Sequence, residues 1–243
     1  PRFQAQCLGH ALQQFAHVTS HDLKEPVRKI RTYTDLLRSG FGDNLPQKAQ
    51  AHIAKIENSA RRVATMIDGI LQYSSLQVLE RAVGEVDLND IISNILDDLE
   101  VVIADKHARI DVAQLPVVQG SAVLLNQLFY NLINNALKFS RAGVPPVVTI
   151  RSSIVKGDEV PAADAKRNQN YVHIVVTDNG IGFDQQYADR IFEAFARLNA
   201  KDKFEGTGLG LALCKKIVER HNGYIAAHGT AEEGASFSVW IPD

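Results

Sequence analysis

Residues 127–139 read QLFYNLINNALKF, and their polar members recur at helical spacing. At roughly 100° per residue, Gln127, Asn131, Asn134, Asn135 and Lys138 fall within one narrow arc. Leu128, Phe129, Leu132, Ile133, Ala136, Leu137 and Phe139 fill most of the remaining circumference. A surface helix shows the opposite proportions, so this helix is predicted to be largely buried, with its amide stripe lining an internal cleft. Two amides at i and i+4 followed by a lysine suit a hydrated Mg²⁺ carrying phosphate oxygens, because Mg²⁺ takes oxygen ligands and retains waters. A solvated polar face is the alternative, although such a stripe more usually carries Glu and Lys than Asn.

Two glycine clusters follow. TDNGIGF (residues 177–183) closes a predicted strand with Asp178 and two glycines, Gly180 and Gly182. The acid can accept a hydrogen bond from an exocyclic amine, and glycines let a planar ring approach the backbone; a plain turn has the same composition. In GTGLGLALCKKIVERH (residues 206–221), Gly206, Gly208 and Gly210, with Thr207 and Leu209 between them, run straight into an amphipathic helix. Free N–H groups at a helix N-terminus make a phosphate site. The order is not that of a P-loop, and no clear strand leads into it as a dinucleotide fingerprint requires. Between the clusters, FARLNAKDKFE carries Arg197, Lys201 and Lys203 and has the composition of a lid over a polyphosphate or of an ordinary loop.

A fourth stretch, TSHDLKEPVRKI (residues 19–30), places His21 and Asp22 side by side on an apolar pattern of Leu23, Val27 and Ile30, with Pro26 one turn on. Proline inside a helix costs about 3 kcal/mol or more. Something must make that combination worthwhile.

These residues need elements to hold them. Across residues 1–80 the apolar residues keep helical spacing: Ile53, Ile56, Ala60, Val63, Ile67 and Ile70 step by threes and fours, the seam of a packed helical pair. The turn-rich SGFGDNLPQKA sends the chain back on itself. An antiparallel hairpin leaves a wide apolar face, which a homodimeric four-helix bundle buries economically; pairing with the rest of the chain is the alternative. From residue 84 to 243, strands such as VVTIRSSIV, YVHIVVTD and FSVWIP alternate with helices including NDIISNILDDLEVVIADK, the pattern of an α/β sandwich. KGDEVPAADAKRNQN reads as a long polar loop.

Bulk numbers narrow the class. A net charge of −2 argues against nucleic acid or an anionic membrane as the main partner. Cys7 and Cys214 are far apart without metal-ligand spacing and read as free thiols of a reducing compartment. The uncharged run from Val112 to Leu137 contains Pro116, Gly120 and several amides, which a bilayer core penalises, so the chain reads as soluble. It starts at Pro1 without an initiator methionine, which reads as a piece of something longer.

Together the stretches resemble the sensor histidine kinases, over nearly the whole chain and with the motifs in order. FAHVTSHDLKEPVRKI is similar to the H-box of a dimerisation and phosphotransfer domain. NLINNALKFS, DNGIG, FEAF and GTGLGLAL are similar to the N, G1, F and G2 boxes of a Bergerat-type ATPase domain. The resemblance implies a phosphotransfer hairpin over residues 1–80 and an ATP-binding domain over 84–243. It makes His21 the phosphoacceptor, with Asp22 holding one ring nitrogen so that the other attacks the γ-phosphorus of ATP, and Pro26 a point where the helix bends. Asn135 and Asn131 are assigned to Mg²⁺, Lys138 to phosphate, Asp178 to the adenine amino group beside Gly180 and Gly182, and Gly206, Thr207, Gly208, Leu209 and Gly210 to the polyphosphate. Arg197 is a candidate γ-phosphate contact.

The implied partners are a second copy of the chain, a response-regulator receiver domain and an N-terminal sensor in the parent protein, with a cytoplasmic catalytic core. The wording is also similar to phytochrome-like and other soluble sensor kinases. One departure matters: where many relatives that also dephosphorylate their partner carry Thr or Asn, four residues after the histidine, this chain has Glu25, which predicts weak or absent phosphatase activity. Three other readings remain open at this point: a Bergerat ATPase working as a conformational clamp, a non-catalytic receiver-docking dimer, and a protein-serine kinase on the same ATPase fold that would not need His21.

Overall fold

The computed structural model describes residues 24–41, 45–75, 83–198, 204 and 206–243. His21, Asp22, Cys7, Lys201 and Lys203 lie outside them. The chain divides into two compact units, Pro1–Leu79 and Glu80–Asp243.

The first unit contains helix α1 (residues 24–41) and helix α2 (Gln47–Ser75). Val27 on α1 meets Ala60 and Ile67 on α2, with Ala64 and Leu71 packed against them. Lys24 Nζ pairs with Asp68 Oδ1 at 2.6 Å, and Arg38 with Glu57 Oε2 at 3.1 Å. The apolar seam of α2 splits in two. Ala60 and Ile67 are buried within the hairpin, whereas Ile56, Val63 and Ile70 remain 37–47% exposed. On α1, Val27 and Thr34 are buried, while Ile30, Leu37 and Phe41 are exposed. Each helix therefore carries an apolar row that the hairpin does not use internally.

The second unit begins with strand β1 (Gly84–Asp87), helix α3 (Leu88–Asp98), the short helix α4 (Glu100–Asp105), β2 (Arg109–Val112) and β3 (Val117–Gly120). Helix α5 (Ala122–Lys138), β4 (Val147–Lys156) and β5 (Asn170–Asp178) follow. After two single 3₁₀ turns come α6 (Gly210–Arg220), β6 (Tyr224–Thr230) and β7 (Gly234–Pro242). Five strands form one sheet in the order β2-β4-β5-β7-β6, and β1 and β3 pair separately. Only β2–β4 is parallel; the remaining pairs are antiparallel. The stretch NDIISNILDDLEVVIADK, expected as one helix, breaks at Leu99, whose backbone (φ −100°, ψ 4°) leaves the α region.

Alternation along β5 explains the layering. Val172, Ile174 and Val176 lie on one face with Ile241, Val239 and Phe237 of β7 as cross-strand partners, all buried. That face receives the helix layer, in which α5 packs between α3 and α6. Leu125, Leu128, Phe129, Leu132, Ile133 and Leu137 of α5 are fully buried. The opposite face carries His173 stacked on Trp240, with ring centroids 4.6 Å apart. The segment read as a polar loop folds over part of this face, where Val160, Ala162 and Ala165 pack on Tyr171 and Trp240.

Candidate nucleotide site

Helix α5 is apolar over most of its circumference, and its remaining stripe is half-buried: Asn131, Asn134, Asn135 and Lys138 are all of intermediate exposure. The stripe faces the glycine run that starts α6. A Cβ at Gly206 would lie 2.5 Å from Lys138 Nζ, and one at Gly210 would lie 3.7 Å from Asn131 Oδ1. The two motifs, about 70 residues apart in sequence, thus form the walls of one cradle that side chains at 206 and 210 would begin to fill. Gly208 has φ +76° and its Cβ would strike the Ala196 carbonyl at 2.7 Å, so glycine is demanded there by backbone packing. Thr207 Oγ1 accepts from the Leu209 N–H at 3.3 Å, and the Leu209 side chain is buried, so the Thr207 hydroxyl proton and the other backbone N–H groups of this run are the parts that can meet a ligand.

Asn131 Nδ2 is buried. Burial pushes the neighbouring Cys214 thiol up to about 12, with Asn131 opposing the rise, so that thiol is inert packing behind the cradle. Asn131 thus turns its Nδ2 toward the Cys214 thiol and its Oδ1 toward Gly210. Among the described residues no cluster of His, Cys, Asp and Glu could hold a metal. The residues here that could hold Mg²⁺ are Asn131 and Asn135, through neutral amide oxygens, a set that would suit an ion bringing phosphate and water ligands of its own.

Asp178 ends β5. Its Oδ1 accepts from Gly180 N at 2.8 Å and Ala235 N at 3.3 Å, and among the described residues nothing donates to Oδ2. Burial holds the carboxyl above the ordinary carboxylate range, against the lowering effect of those two N–H groups. The acid therefore presents one anchored oxygen and one open acceptor.

The flanking glycines also have a packing role. A Cβ at Gly180 would strike the Phe139 carbonyl at 2.5 Å, and one at Gly182 (φ +58°) would strike the Thr230 carbonyl at 1.9 Å. Protein backbone occupies the space on the side-chain side of both glycines. These glycines let the 179–183 turn close on its neighbours and so hold Asp178.

Arg197 spends both terminal nitrogens on backbone carbonyls, those of Phe204 at 2.7 Å and Gly206 at 2.8 Å. Phe204 packs on Phe139, with centroids 5.0 Å apart, and Lys138 Nζ lies 4.7 Å above the Phe139 ring centre. His221 escaped the sequence reading. Its Nδ1 lies 2.8 Å from Ile217 O, and its Nε2 accepts from Ser121 N at 3.1 Å, tying the end of α6 to the start of α5. Gly120 makes room for the ring, since a Cβ there would lie 2.9 Å from it. A histidine directly after an amphipathic helix was the available signal, and it is a common one.

Beside the residues that follow His21, an open groove of about 480 Å³ is lined by Lys24, Glu25, Val27, Arg28, Arg31, Ala64 and Asp68. Glu25 pairs with Lys29 at 2.8 Å on its exposed surface. Among the described residues no helix is long and apolar enough to cross a membrane.

Residues 120–243 match the family profile described as histidine kinase-, DNA gyrase B- and HSP90-like ATPase, and residues 11–79 match that of the His kinase A (phospho-acceptor) domain. Similar curated proteins include cyanobacterial phytochrome A of Nostoc sp., 36% identical over 95% of this chain, and the phytochrome-like protein Cph1 of Synechocystis sp., 33% identical over 95%. The chain spans 28% and 29% of those two proteins. Among solved structures, full-length ShkA in complex with AMPPNP superposes with a TM-score of 0.67 at 22% identity, covering 94% of this chain and 45% of that one. A mycobacterial sensor histidine kinase, MprB, superposes at 0.53 with 25% identity over 66% of this chain and 97% of that one. The chain belongs to the histidine kinase-, DNA gyrase B- and HSP90-like ATPases, and its pairing of that domain with a phospho-acceptor domain is that of a histidine kinase catalytic core.

Proposed function

We propose that this chain binds ATP in the α5–α6 cradle and transfers its γ-phosphoryl group to His21, for onward transfer to an aspartate of a response-regulator receiver domain. The observation that carries the reading is the approach of Lys138 and Asn131 to the glycine run at Gly206 and Gly210, with an acceptor-only carboxylate at the end of β5. In this reading Asp178 Oδ2 accepts from the adenine amino group. Lys138 and the N–H groups of Gly206, Thr207, Gly208 and Gly210 hold the polyphosphate. Asn131 and Asn135 hold Mg²⁺, which when bound supplies charge neutralisation at the phosphates. Asp22 fixes one ring nitrogen of His21; the other attacks the γ-phosphorus, forming the N–P bond as the bond to the bridging oxygen breaks and ADP leaves. Arg197 uses two of its five N–H donors on the Phe204 and Gly206 carbonyls, and the remaining donors are the ones it would offer a phosphate.

The unused apolar row of Ile30, Leu37, Ile56, Val63 and Ile70 supports a homodimer through the hairpin. The groove beside Lys24 and Asp68 suits a receiver domain. Glu25, a carboxylate where a phosphorylated aspartate would dock, predicts weak phosphatase activity, and a cytoplasmic core governed by an N-terminal sensor completes the reading. Incubation with γ-labelled ATP and Mg²⁺ is expected to label the chain with acid-labile, base-stable phosphate. Loss of all label in His21→Gln supports the assignment; acid-stable label, or label that survives the substitution, overturns it.

A further inference from the structure

The two N–H groups that anchor Asp178 belong to different segments. Gly180 lies in the turn after β5, and Ala235 lies just past the β6–β7 connection. The direction of the carboxylate therefore depends on how far apart those segments sit. One side chain spans them both. Arg141, three residues after the end of α5, donates from Nε to the Asn179 carbonyl at 2.9 Å and from a terminal nitrogen to the Glu232 carbonyl at 2.9 Å. The same two segments meet directly where Glu232 N donates to Ile181 O at 2.7 Å, and Glu232 has φ +63°. Asn179 in turn accepts from Val147 N at 2.8 Å and donates to Pro145 O at 3.1 Å, so the turn is tied to the start of β4 as well.

We infer that Arg141 is a positioning residue for nucleotide recognition: its guanidinium fixes the spacing between the 179–181 turn and the 232–235 segment, and through them aims Asp178. A planar fork can hold two carbonyls in fixed directions, whereas a lysine ammonium on a flexible stem is a single point charge. The inference rests on the reading of Asp178 as the adenine acceptor.

The test is a double-substitution cycle on the whole 243-residue chain, measuring ATP dissociation constants and the ATP dependence of autophosphorylation. Arg141→Ala is expected to weaken ATP binding about tenfold and to raise KM by a similar factor, with kcat at saturating ATP within twofold of the parent. Arg141→Lys is expected to recover less than half of that loss on a logarithmic scale. In an Asp178→Asn background, Arg141→Ala is expected to add less than twofold. Full additivity with Asp178→Asn, recovery by lysine to within twofold of the parent, or a fall in kcat without a change in KM each overturns the inference. If Asp178→Asn alone leaves ATP binding unchanged, the adenine reading fails instead, which separates the two.

Discussion

Asp178→Asn is expected to separate folding from recognition. The parent carboxylate anchors Oδ1 on the N–H groups of Gly180 and Ala235 and leaves Oδ2 open. An asparagine keeps Oδ1 on the same donors and must then place its NH₂ where Oδ2 was. Facing the adenine amine, that is donor against donor. A hydrogen bond to a charged acceptor is worth about 1.5–3 kcal/mol, so ATP binding should weaken roughly 10- to 150-fold. The purine O6 of GTP, an acceptor, loses nothing by the exchange, so discrimination between ATP and GTP should shrink by most of the same factor.

Stability should move the other way. Burial raises the Asp178 pKa above its ordinary 3.8. As pH rises from that value through the folded one, the unfolded chain ionises first, so the native state loses stability across that window and carries the penalty at pH 7. The neutral amide carries none. Asp178→Asn should therefore be at least as stable as the parent to urea at pH 7, with a smaller difference near pH 4. Asp178→Ala leaves two backbone N–H groups without their acceptor and should lose about 1–3 kcal/mol. Competition binding with a fluorescent nucleotide and urea melts decide the matter. An Asn variant that binds ATP within twofold of the parent, or that unfolds as readily as the Ala variant, refutes the reasoning.

Two further outcomes follow from the same geometry. His173 is held below its ordinary pKa by burial, and its Nε2 has no partner; as pH falls below about 6.5 the unfolded chain takes the proton first, and stability declines toward the folded pKa. The slope should lie below the limit of about 1.4 kcal/mol per pH unit because the ring is partly solvated. His173→Phe, which keeps the stack on Trp240, should flatten the urea midpoint between pH 7.5 and 5.5, and an unchanged slope would count against this origin. Val63→Glu puts a charge on the unused apolar row and, with two copies per dimer at about 1.5 kcal/mol each, should raise a dimer dissociation constant at least about 100-fold; sedimentation equilibrium showing an unaltered dimer would exclude that face.

How far the sequence carried the argument depended on whether a residue's role was local. Strands β4, β5 and β7 were legible because Val147–Ile150, Val172–Val176 and Phe237–Ile241 are dense in β-branched and aromatic side chains. Strands β1, β2 and β3 are four residues each, too short to show a period, and β6 begins YIAAHG, with two alanines and a glycine diluting the signal. The amide stripe of α5 was visible because burial of the rest of the helix is written in its composition. The pairing of Lys138 with Gly206 was not, since nothing in either stretch specifies which distant backbone it meets.

Glycine gives the clearest lesson. Composition says that a position needs closeness or a positive φ, but not to what. At Gly206 and Gly210 the closeness is to the side chains of Lys138 and Asn131. At Gly180 and Gly182 it is to the protein's own carbonyls, so the same residue type in the same domain builds a cradle in one place and a brace in the other. Arg141 belongs to the brace. Its two acceptors lie 38 and 91 residues away, and only the folded sheet brings the 179–181 turn and the 232–235 segment within reach of one guanidinium. On the proposed reading, recognition of a base by a single carboxylate oxygen would be spread over three chain segments, and the segment after α5 would be where the phosphate wall and the base wall are joined.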